Sequence, residues 1–484
     1  MTKARLPRLV TVSAAVLLAG CSMIPQYQRP AAPVTTQWPQ GLATGADTAS
    51  TAADVPWQDF VGDARLRELI ALALQNNRDL RVAVLAIEQA RAQYQIRSAD
   101  QLPGIGAAVT ATRQPAADGS GGSTSVYTAG LAMASWEIDF FGRIASLKEA
   151  ALAQFLATQE ARNAVQTSLV AAVANTWLSL QTNTELLALT QRTLATREDS
   201  LRLNRLRFDQ GVTSALDLRQ AESLTAAAQA TLAQQQRLRT LDLNALTLLV
   251  GQPLPEADQN RPAVQAALAL PDVPAGMPSD LLTRRPDIRQ AEQQLIAANA
   301  NIGAARAAFF PRISLTASAG TASGALSGLF KSGSWGWTLA PQAVLPIFDA
   351  GRNQAGLESA QAERAVAVAQ YEKAIQVAFR EVADALAGRA TLGEQLRAQQ
   401  AQTDAEADRF RLADLRYRNG VANYLDVLDA QRALFATQQA LAQTQLAQRQ
   451  NQVALYKALG GGWTAGDARA RSSAPAGDAP APVL

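Results

Sequence analysis

The side chains best placed to do chemistry are carboxylates that follow two glycine-containing turns. Asp217 lies six residues after Gly211, and Asp426 and Asp429 lie six and nine residues after Gly420. An acid at the third position of a helix can cap it, so Asp217 and Asp426 are interpreted either as caps or as functional acids. Asp426 and Asp429 could form a catalytic pair, but residues three apart on one helix project side by side instead of flanking a substrate.

Enzymatic chemistry has few residues to use in this chain. Its 484 residues include no histidine and one cysteine, and 48% of them are hydrophobic. The lack of histidine excludes His-dependent triads and the commonest zinc and iron ligand sets. No nucleophile or phosphate-binding motif is recognisable. We therefore expect a protein that is not an enzyme and that has no metal and no cofactor other than a covalent lipid.

The single cysteine follows a leader of the secretory type. A basic start with Lys3, Arg5 and Arg8 precedes an apolar stretch that ends in Leu-Ala-Gly-Cys at Cys21, which predicts a signal peptide over residues 1–20. The motif resembles the lipobox of bacterial lipoproteins, in which the cysteine is lipidated; the alternative is an ordinary signal peptide with an incidental cysteine. Ser22 stands where lipoproteins retained at the inner membrane commonly carry Asp, so the anchor points to the outer membrane.

Charge gives no reason to expect a nucleic-acid partner. The three basic leader residues account for the whole excess of 44 Lys and Arg over 41 Asp and Glu, because 44 minus 3 leaves 41. A neutral mature chain lacks the electrostatic footprint of a nucleic-acid-binding protein. Beyond the leader no run of 18 uninterrupted apolar residues occurs, so a transmembrane helix is not predicted.

The chain repeats itself, with residues 57–251 matched by residues 280–460. Turn residues and their neighbours recur 209 positions later in the same order, which predicts two similar halves. The matching positions are Gly142 and Gly351, Arg143 and Arg352, Gly211 and Gly420, and Asp217 and Asp426. A proline-rich linker is predicted over 252–279, and the segments 21–56 and 461–484 are predicted to be extended or low in complexity.

Each half is predicted to contain a helix, a hairpin, a very long helix and a returning helix. The long helices, over 143–210 and 352–419, would each be ~100 Å long, and the returning helices are expected over 214–250 and 424–459. Gly211 and Gly420 are expected to end the long helices as C′ residues. Ser214 and Asn423 are expected to open the returning helices as capping boxes.

Two hairpins are predicted, at about 104–140 and 312–348, from alternating small and apolar residues. Roughly ten residues per strand suits a tilted membrane strand, whereas a soluble hairpin with one buried face remains the alternative. Gly142-Arg143 and Gly351-Arg352 are the expected corners between strand and helix. Because four strands cannot close a barrel, two chains would supply eight strands and three would supply twelve, and the pattern alone does not choose between them.

The chain resembles the outer-membrane factor family of efflux pumps, the TolC-like channels, and especially its NodT-like lipoprotein branch. The matching stretches are WQDFVGDARLRELIALALQNNRDLR (57–81), SWEIDFFGR (135–143), LRFDQGVTSALDLRQAE (206–222), PSDLLTRRPDIRQAEQQLIAANANIGAARAAFFPRISL (278–315) and LRYRNGVANYLDVLDAQRALF (415–435). The resemblance implies a mainly α fold with a membrane β-barrel of twelve strands completed by a homotrimer, and a long antiparallel α-helical barrel. It also implies an outer-membrane exit channel for drugs and toxic compounds that docks to a periplasmic adaptor and an inner-membrane pump, the latter proton-driven.

The resemblance further assigns a gate to the helical turns. Asp426 and Asp429 match the acidic ring of the constriction, while Asp217 and Tyr417 match positions that help to hold the closed tip. Ala422 stands where some relatives carry an arginine, which weakens the case for a salt bridge at Asp217. A ring of carboxylates in a narrow wet pore favours cations. Asp429 lies beyond the first helical turn, has less reason to be a cap and is the preferred gate candidate.

Two other classes of protein are alternatives to the channel. A periplasmic adaptor or helical scaffold lipoprotein would also have long helices and a lipid anchor, but we would expect it to have one hairpin and separate β-domains. A periplasmic lipoprotein enzyme is opposed by the missing histidine.

Overall fold

The computed structural model describes residues 22–38, 55–115, 122–259, 262, 270–271 and 281–463. The predicted signal peptide, Cys21 and nearly all of the predicted tail, as well as much of the predicted linker, lie outside these residues. Two compact units are present, and we describe each by itself. The first comprises Leu85–Glu160, Gln290–Lys373 and the described residues before 33, and the second comprises the remainder. Among the described residues, no helix is long and apolar enough to cross a membrane.

The elements follow the predicted order in both halves of the chain. The first half contains α1 (Trp57–Phe60), α2 (Ala64–Asn76), α3 (Arg78–Ala99), β1 (Ile105–Pro115), β2 (Ser123–Ile138), α4 (Arg143–Asp209) and α5 (Ala215–Val250). The predicted linker contains the short helix α6 (Glu256–Gln259). The second half contains α7 (Leu281–Arg284), α8 (Pro286–Ala307), β3 (Arg312–Ser323), β4 (Trp335–Val344), α9 (Arg352–Arg418) and α10 (Tyr424–Ala458), with a short 3₁₀ turn at Leu326–Gly328.

The helix that begins each half differs from the prediction because it is divided in two. In the first half Asn77 separates α2 from α3: its side-chain oxygen accepts a hydrogen bond from the Leu80 amide at 3.0 Å, which caps α3. The Asn77 amide group donates to the Leu249 carbonyl at 3.0 Å, so the break is also a packing contact. In the second half Pro286 is the first residue of α8, a position where its missing N–H costs nothing.

The first unit is built around one antiparallel sheet with the strand order β1-β2-β3-β4. The central pair approaches closely at Gly130 and Gly320, where an added Cβ would lie 2.4 Å and 2.3 Å from a carbonyl oxygen of the facing strand. One extra residue in β2 between Met133 and Trp136 shifts its register against β3, as a β-bulge does. The outer edges of β1 and β4 have no strand partner in the described chain.

The second predicted hairpin is shorter than expected, because β4 ends at Val344 and residues 345–348 are not strand. Its aromatic side chains lie on the surface: Trp335 and Trp337 are each 68% exposed. Such a surface is expensive to leave in water, so the sheet is suited to an apolar or protein neighbour.

Residues at the start of the described chain lie along α8 within the first unit. The Arg306 guanidinium donates to the Met23 carbonyl at 3.4 Å, and the Asn299 amide donates to the Pro25 carbonyl at 2.8 Å. Further along, the Arg29 guanidinium donates two hydrogen bonds of 2.7 and 2.9 Å to the Glu292 carboxylate. The segment therefore runs antiparallel to α8, with residue 23 at the end from which β3 follows.

The second unit has its own core, formed by aromatic and aliphatic side chains. Trp177 is 1% exposed and donates its indole N–H to Asp63 at 3.2 Å, and Phe60 stacks on Tyr456 with ring centroids 3.9 Å apart. Arg285 is buried, but acidic side chains and a backbone carbonyl balance the charge and satisfy the hydrogen bonds of its guanidinium. Its guanidinium contacts Asp287 at 2.6 Å and Glu381 at 2.7 Å and donates to the Ala458 carbonyl at 3.0 Å.

Candidate gate at the helical turns

The predicted gate lies in two glycine turns of the second unit that are built alike. Gly211 has φ +70° and Gly420 has φ +71°, the left-handed conformation that glycine adopts at low cost. The Val212 amide donates to the Arg207 carbonyl at 2.8 Å, and the Val421 amide donates to the Arg416 carbonyl at 2.9 Å. These are Schellman motifs, with glycine at C′.

Asp217 is held by its own turn. Its carboxylate accepts hydrogen bonds from the Ser214 hydroxyl at 2.7 Å, the Ser214 amide at 3.2 Å and the Thr213 hydroxyl at 2.9 Å. The Ser214 hydroxyl accepts the Asp217 amide at 3.2 Å, which completes the predicted capping box. The hydrogen bond from the Ser214 side chain is the main reason that the pKa of Asp217 lies below its ordinary value. This carboxylate acts locally, as a cap.

Asp426 occupies the equivalent place in the second turn but has different surroundings. The Asn423 side chain accepts the Asp426 amide at 3.1 Å, yet only half of the predicted capping box forms. Ala422 cannot donate a hydrogen bond where Thr213 does, and Asn423 supplies an acceptor where Ser214 supplies a hydroxyl. Within the described residues the Asp426 carboxylate is exposed and has no hydrogen bond or ion pair, so its charge is uncompensated.

Asp429, by contrast, is clamped between two arginines. Arg409 on α9 and Arg432 on α10 each approach its carboxylate at 2.5 Å, and these contacts, that of Arg409 foremost, hold its pKa below the ordinary value. Arg409 also contacts Glu406 at 3.1 Å. The two negative charges of Asp429 and Glu406 are balanced by the two positive charges of Arg409 and Arg432. A cation-attracting field near α10 is therefore better assigned to Asp426 than to Asp429. The sequence favours Asp429 because it lies beyond the capping turn. Arg432 follows it by three residues on the same helix, but the contact with Arg409, 20 positions earlier on α9, has no signal in helical spacing.

Tyr417 lies at the centre of a contact that the sequence did not predict. The Arg207 guanidinium donates to the Tyr417 hydroxyl and also lies 5.4 Å from the Tyr417 ring centroid. The Tyr424 ring is tilted against Tyr417 at 5.2 Å. This cluster, which we call the Arg207–Tyr417 latch, joins α4 to α9 and α10. Arg207 could have been suspected only from its place beside the repeated glycine turn.

The first repeat carries its own clamp at positions that do not match Asp429. Glu222 on α5 contacts Arg219 at 2.7 Å and Arg205 on α4 at 3.2 Å. The residue equivalent to Asp429 is Gln220, which carries no charge. Each helical pair is therefore tied by two arginines around one carboxylate, but at a different level along its helices.

The predicted strand-to-helix corners lie in the first unit. Gly142 and Gly351 adopt φ +70° and +84°, so the corners use glycine for the left-handed turn. Arg143 makes a two-pronged contact with Glu137 at 2.8 and 2.7 Å. The helices that follow are capped by Asp139, which accepts the Ala145 amide at 2.7 Å, and by Asp349, which accepts the Asn353 amide at 2.9 Å. Arg352 begins α9 and shares a crevice of about 570 Å³ with both of these acids.

No group of His, Cys, Asp and Glu in the described residues could hold a metal ion. What the turns offer instead is a surface of exposed apolar side chains at repeat-equivalent positions. Leu206 and Leu415, Val212 and Val421, and Leu216 and Leu425 are all exposed. Such pairs are suited to contact with other protein surfaces.

Comparison with known proteins agrees with this architecture. The sequence matches the family described as "Outer membrane efflux protein" over residues 69–252 and 277–461. The chain therefore belongs to the outer membrane efflux protein family, and the two matched segments correspond to its two repeats. Family membership confirms the predicted outer-membrane efflux role, as distinct from an enzyme or an adaptor; the NodT-like branch stays a prediction.

Individual relatives match along nearly the whole chain. The antibiotic efflux pump outer membrane protein ArpC of Pseudomonas putida is 48% identical over 472 residues, covering 96% of each chain. The solvent efflux pump outer membrane protein SrpC of Pseudomonas putida is 49% identical over 460 residues, covering 93% of this chain and 97% of that protein. The crystal structure of the open state of the MtrE outer membrane channel of Neisseria gonorrhoeae superposes on this chain with a TM-score of 0.83 at 41% identity. The match covers 92% of this chain and 99% of the MtrE chain. The predicted fold class is thereby confirmed.

Proposed function

We propose that three copies of this chain form the outer-membrane exit channel of a tripartite efflux system. The observation that carries the proposal is a twice-repeated helical pair and a four-stranded sheet whose two outer edges have no partner among the described residues, in a chain of the outer membrane efflux protein family. The trimer supplies twelve strands, enough to close a barrel around a lumen. The channel is passive, and an inner-membrane, proton-driven pump joined through a periplasmic adaptor supplies the energy.

Two features of the described chain support this assignment. The exposed Trp335 and Trp337 side chains fit the aromatic belt of a membrane-spanning sheet. The exposed apolar pairs at the helical turns fit a surface that meets partner proteins. The relatives named for antibiotics and solvents suggest that the cargo consists of small drugs and toxic organic compounds.

We also propose that Cys21 carries the lipid anchor. Residues 23–29 lie antiparallel along α8, through the contacts of Arg306, Asn299 and Glu292. This path delivers residue 22 toward the start of β3, where a lipid on the preceding cysteine could enter the same membrane as the strands. Mass spectrometry of the purified protein tests the anchor: a diacylglyceryl-modified N-terminal cysteine is expected, and an unmodified mature chain would refute it.

The helical turns are proposed to gate the channel, with the Arg207–Tyr417 latch holding the tip closed. Asp426 would then supply the uncompensated negative charge of the constriction, while Asp429 and Glu222 tie the helical pairs together. Asp217 shapes its turn as a cap.

The first test of the proposed function is imaging of the detergent-purified protein together with conductance in planar bilayers. Threefold hollow particles that conduct ions in single steps are expected. Solid rods or monomers that never conduct would refute the channel and favour a helical scaffold. The functional test is drug susceptibility of a strain that lacks its own exit channel but retains pump and adaptor: the wild-type gene should restore resistance, and a variant without residues 204–220 should not, although it reaches the membrane.

A further inference from the structure

The four-stranded sheet has one polar and one apolar face, and the strand register shows which residues belong to each. Residues directly opposite each other in an antiparallel ladder share a face. Ser314 lies between Glu137 and Gln342, so these polar side chains share one face. Ala319 lies on the other face, opposite Trp337. In the proposed barrel the apolar face meets lipid, which leaves the polar face toward the lumen.

A crevice of about 570 Å³ lies where the polar face meets the corners that lead into α4 and α9. The strand side chains that line it belong mostly to the polar face, among them Glu137, Arg312 and Gln342. Its apolar wall includes Phe141, which stacks on Phe310 with ring centroids 4.8 Å apart. Both the volume and the mixture of aromatic and charged groups are typical of a site for a small molecule.

Three arginines line the crevice, and they share too few carboxylates. Arg143 makes its bidentate contact with Glu137, and Arg312 contacts the same carboxylate at 3.2 Å. Two guanidinium groups therefore share one negative charge. The third arginine, Arg352, forms no side-chain hydrogen bond and no ion pair with any residue that the structure describes.

The internal repeat shows why Arg352 has no acid. Asp139 caps α4 and Asp349 caps α9, so the two corners can be aligned on these residues. Two positions before them stand Glu137 in the first repeat and Ile347 in the second. The first corner thus supplies a carboxylate to the arginine that begins its long helix, whereas the second supplies an apolar side chain.

The other two acids of the crevice are engaged by backbone amides. Asp139 accepts the Ala145 amide at 2.7 Å. Asp349 accepts the amides of Gly351 at 3.0 Å and Asn353 at 2.9 Å. Three arginines face three acids by formal count, but each of the two capped helix ends carries about half a positive charge. The crevice is therefore net positive, with its unpaired cation at Arg352.

We propose that this crevice is a subsite of the channel for organic anions that carry an apolar body, such as aromatic carboxylates and sulfonates. The Arg352 guanidinium pairs with the anionic group, whose planar or forked oxygens suit its donors, and Arg312 supplies a second cation. The wall at Phe310 receives the apolar body. The inference rests on the proposed function and adds to it a class of cargo: a trimer would carry three such crevices around the lumen, between strands and helices.

Naphthalene-1-sulfonate is a suitable probe, because it combines an aromatic body with a charge that persists at all ordinary pH values. Its binding to the detergent-purified protein is measured by equilibrium dialysis, with the detergent background subtracted. The variants are Arg352→Gln, Arg352→Lys, and Arg312→Gln combined with Arg352→Gln. Arg113→Gln is the matched control, because it removes one exposed arginine near the opposite end of β1. Competition by methanesulfonate tests whether the apolar body matters.

Arg352→Gln should weaken binding of the probe about fivefold, and the double variant should weaken it further. Arg352→Lys, which keeps the charge, should recover part of the loss, and Arg113→Gln should bind like wild type. Methanesulfonate should compete poorly. Equal binding by wild type and the double variant would overturn the site, and equal competition by methanesulfonate would reduce it to a diffuse positive field.

Single-channel recording in planar bilayers tests whether the crevice lies in the conduction path. The probe should reduce the current of the wild-type channel at lower concentrations than that of the double variant. Binding that depends on Arg352 without any reduction of current would overturn the role as a channel subsite. A wild-type protein that binds the probe but never forms conducting trimers would refute the proposed function, while the anion site itself would stand.

Discussion

The Arg207–Tyr417 latch gives the most direct prediction about gating. If this contact must break when the tip opens, weakening it raises the open fraction of the channel, because a two-state equilibrium shifts by the free energy lost from one state only. Tyr417→Phe removes the hydroxyl that accepts the hydrogen bond from Arg207 and leaves the ring beneath the guanidinium.

The size of the effect follows from the contact and from symmetry. A hydrogen bond to a charged group contributes about 1.5–3 kcal/mol when well shielded, and we take about 1 kcal/mol here because both side chains are only half-buried. Loss of one such contact would lower the closed-to-open ratio about fivefold. Three chains that open together would lose about 3 kcal/mol, which is on the order of a 100-fold shift in the closed-to-open ratio. Arg207→Ala should shift it further, since the contact with the ring is lost as well.

Single-channel recording in planar bilayers measures the open probability directly. The matched control is Arg416→Ala, because Arg416 is the repeat equivalent of Arg207 and lies exposed beside the other glycine turn. Tyr417→Phe and Arg207→Ala should open more often than wild type, whereas Arg416→Ala should not. If the open probability of Tyr417→Phe equals that of wild type while trimers form normally, the latch does not hold the closed state.

The remaining predictions concern charge, backbone strain and pH. Asp426→Asn should lower the cation-to-anion permeability ratio measured from reversal potentials in a salt gradient; if only Asp429→Asn does so, the assignment of the uncompensated charge is wrong. Gly211→Ala should lower stability by about 1–2 kcal/mol, since only its positive φ opposes a side chain. Gly251→Ala should lower it further, because a Cβ there would also lie 2.4 Å from a backbone oxygen; equal melting temperatures would contradict this. The depressed pKa of Asp217 means that its stabilisation is present above the unfolded pKa of about 3.9 and is lost as pH falls through the folded pKa. The stability gap between wild type and Asp217→Asn in pH-dependent melting should therefore close under acid, and a gap that persists at low pH would argue against a charged cap.

The fold could be read from the sequence where a single physical rule dominates. The long helices end where Gly211 and Gly420 permit a left-handed residue. The 67 residues of α4 and the 67 residues of α9 contain no strong helix breaker, so each stretch is predicted as one continuous helix. The predicted end of the second hairpin failed for a different reason. Strand formation at 345–348 needs a hydrogen-bonding partner, which no local pattern within one chain can supply.

The contacts of the proposed gate were harder to predict because they join side chains from distant parts of the chain. Tyr417 was identified through resemblance, but its donor Arg207 lies 210 residues away. Asp429 was preferred because it has little reason to be a cap, yet Arg409 and Arg432 reduce its field. Helical periodicity gives the face on which a charge lies, but it does not show which counter-charge the neighbouring helix presents.

The differences between the two repeats are therefore more informative about gating than their similarities. Both turns use the same glycine and the same acid, so the backbone geometry alone would give two equivalent constrictions. The hydroxyls of Thr213 and Ser214 donate hydrogen bonds to the Asp217 carboxylate. Ala422 and Asn423 donate none to the Asp426 carboxylate, because Asn423 acts only as an acceptor for the Asp426 amide. In the proposed trimer all six carboxylates would keep their charge, but only the three Asp426 carboxylates would lack hydrogen bonds from their own turns. Restoring the hydroxyls by the double substitution Ala422→Thr and Asn423→Ser should therefore reduce cation selectivity without removing any charge, a result that a simple count of carboxylates does not predict.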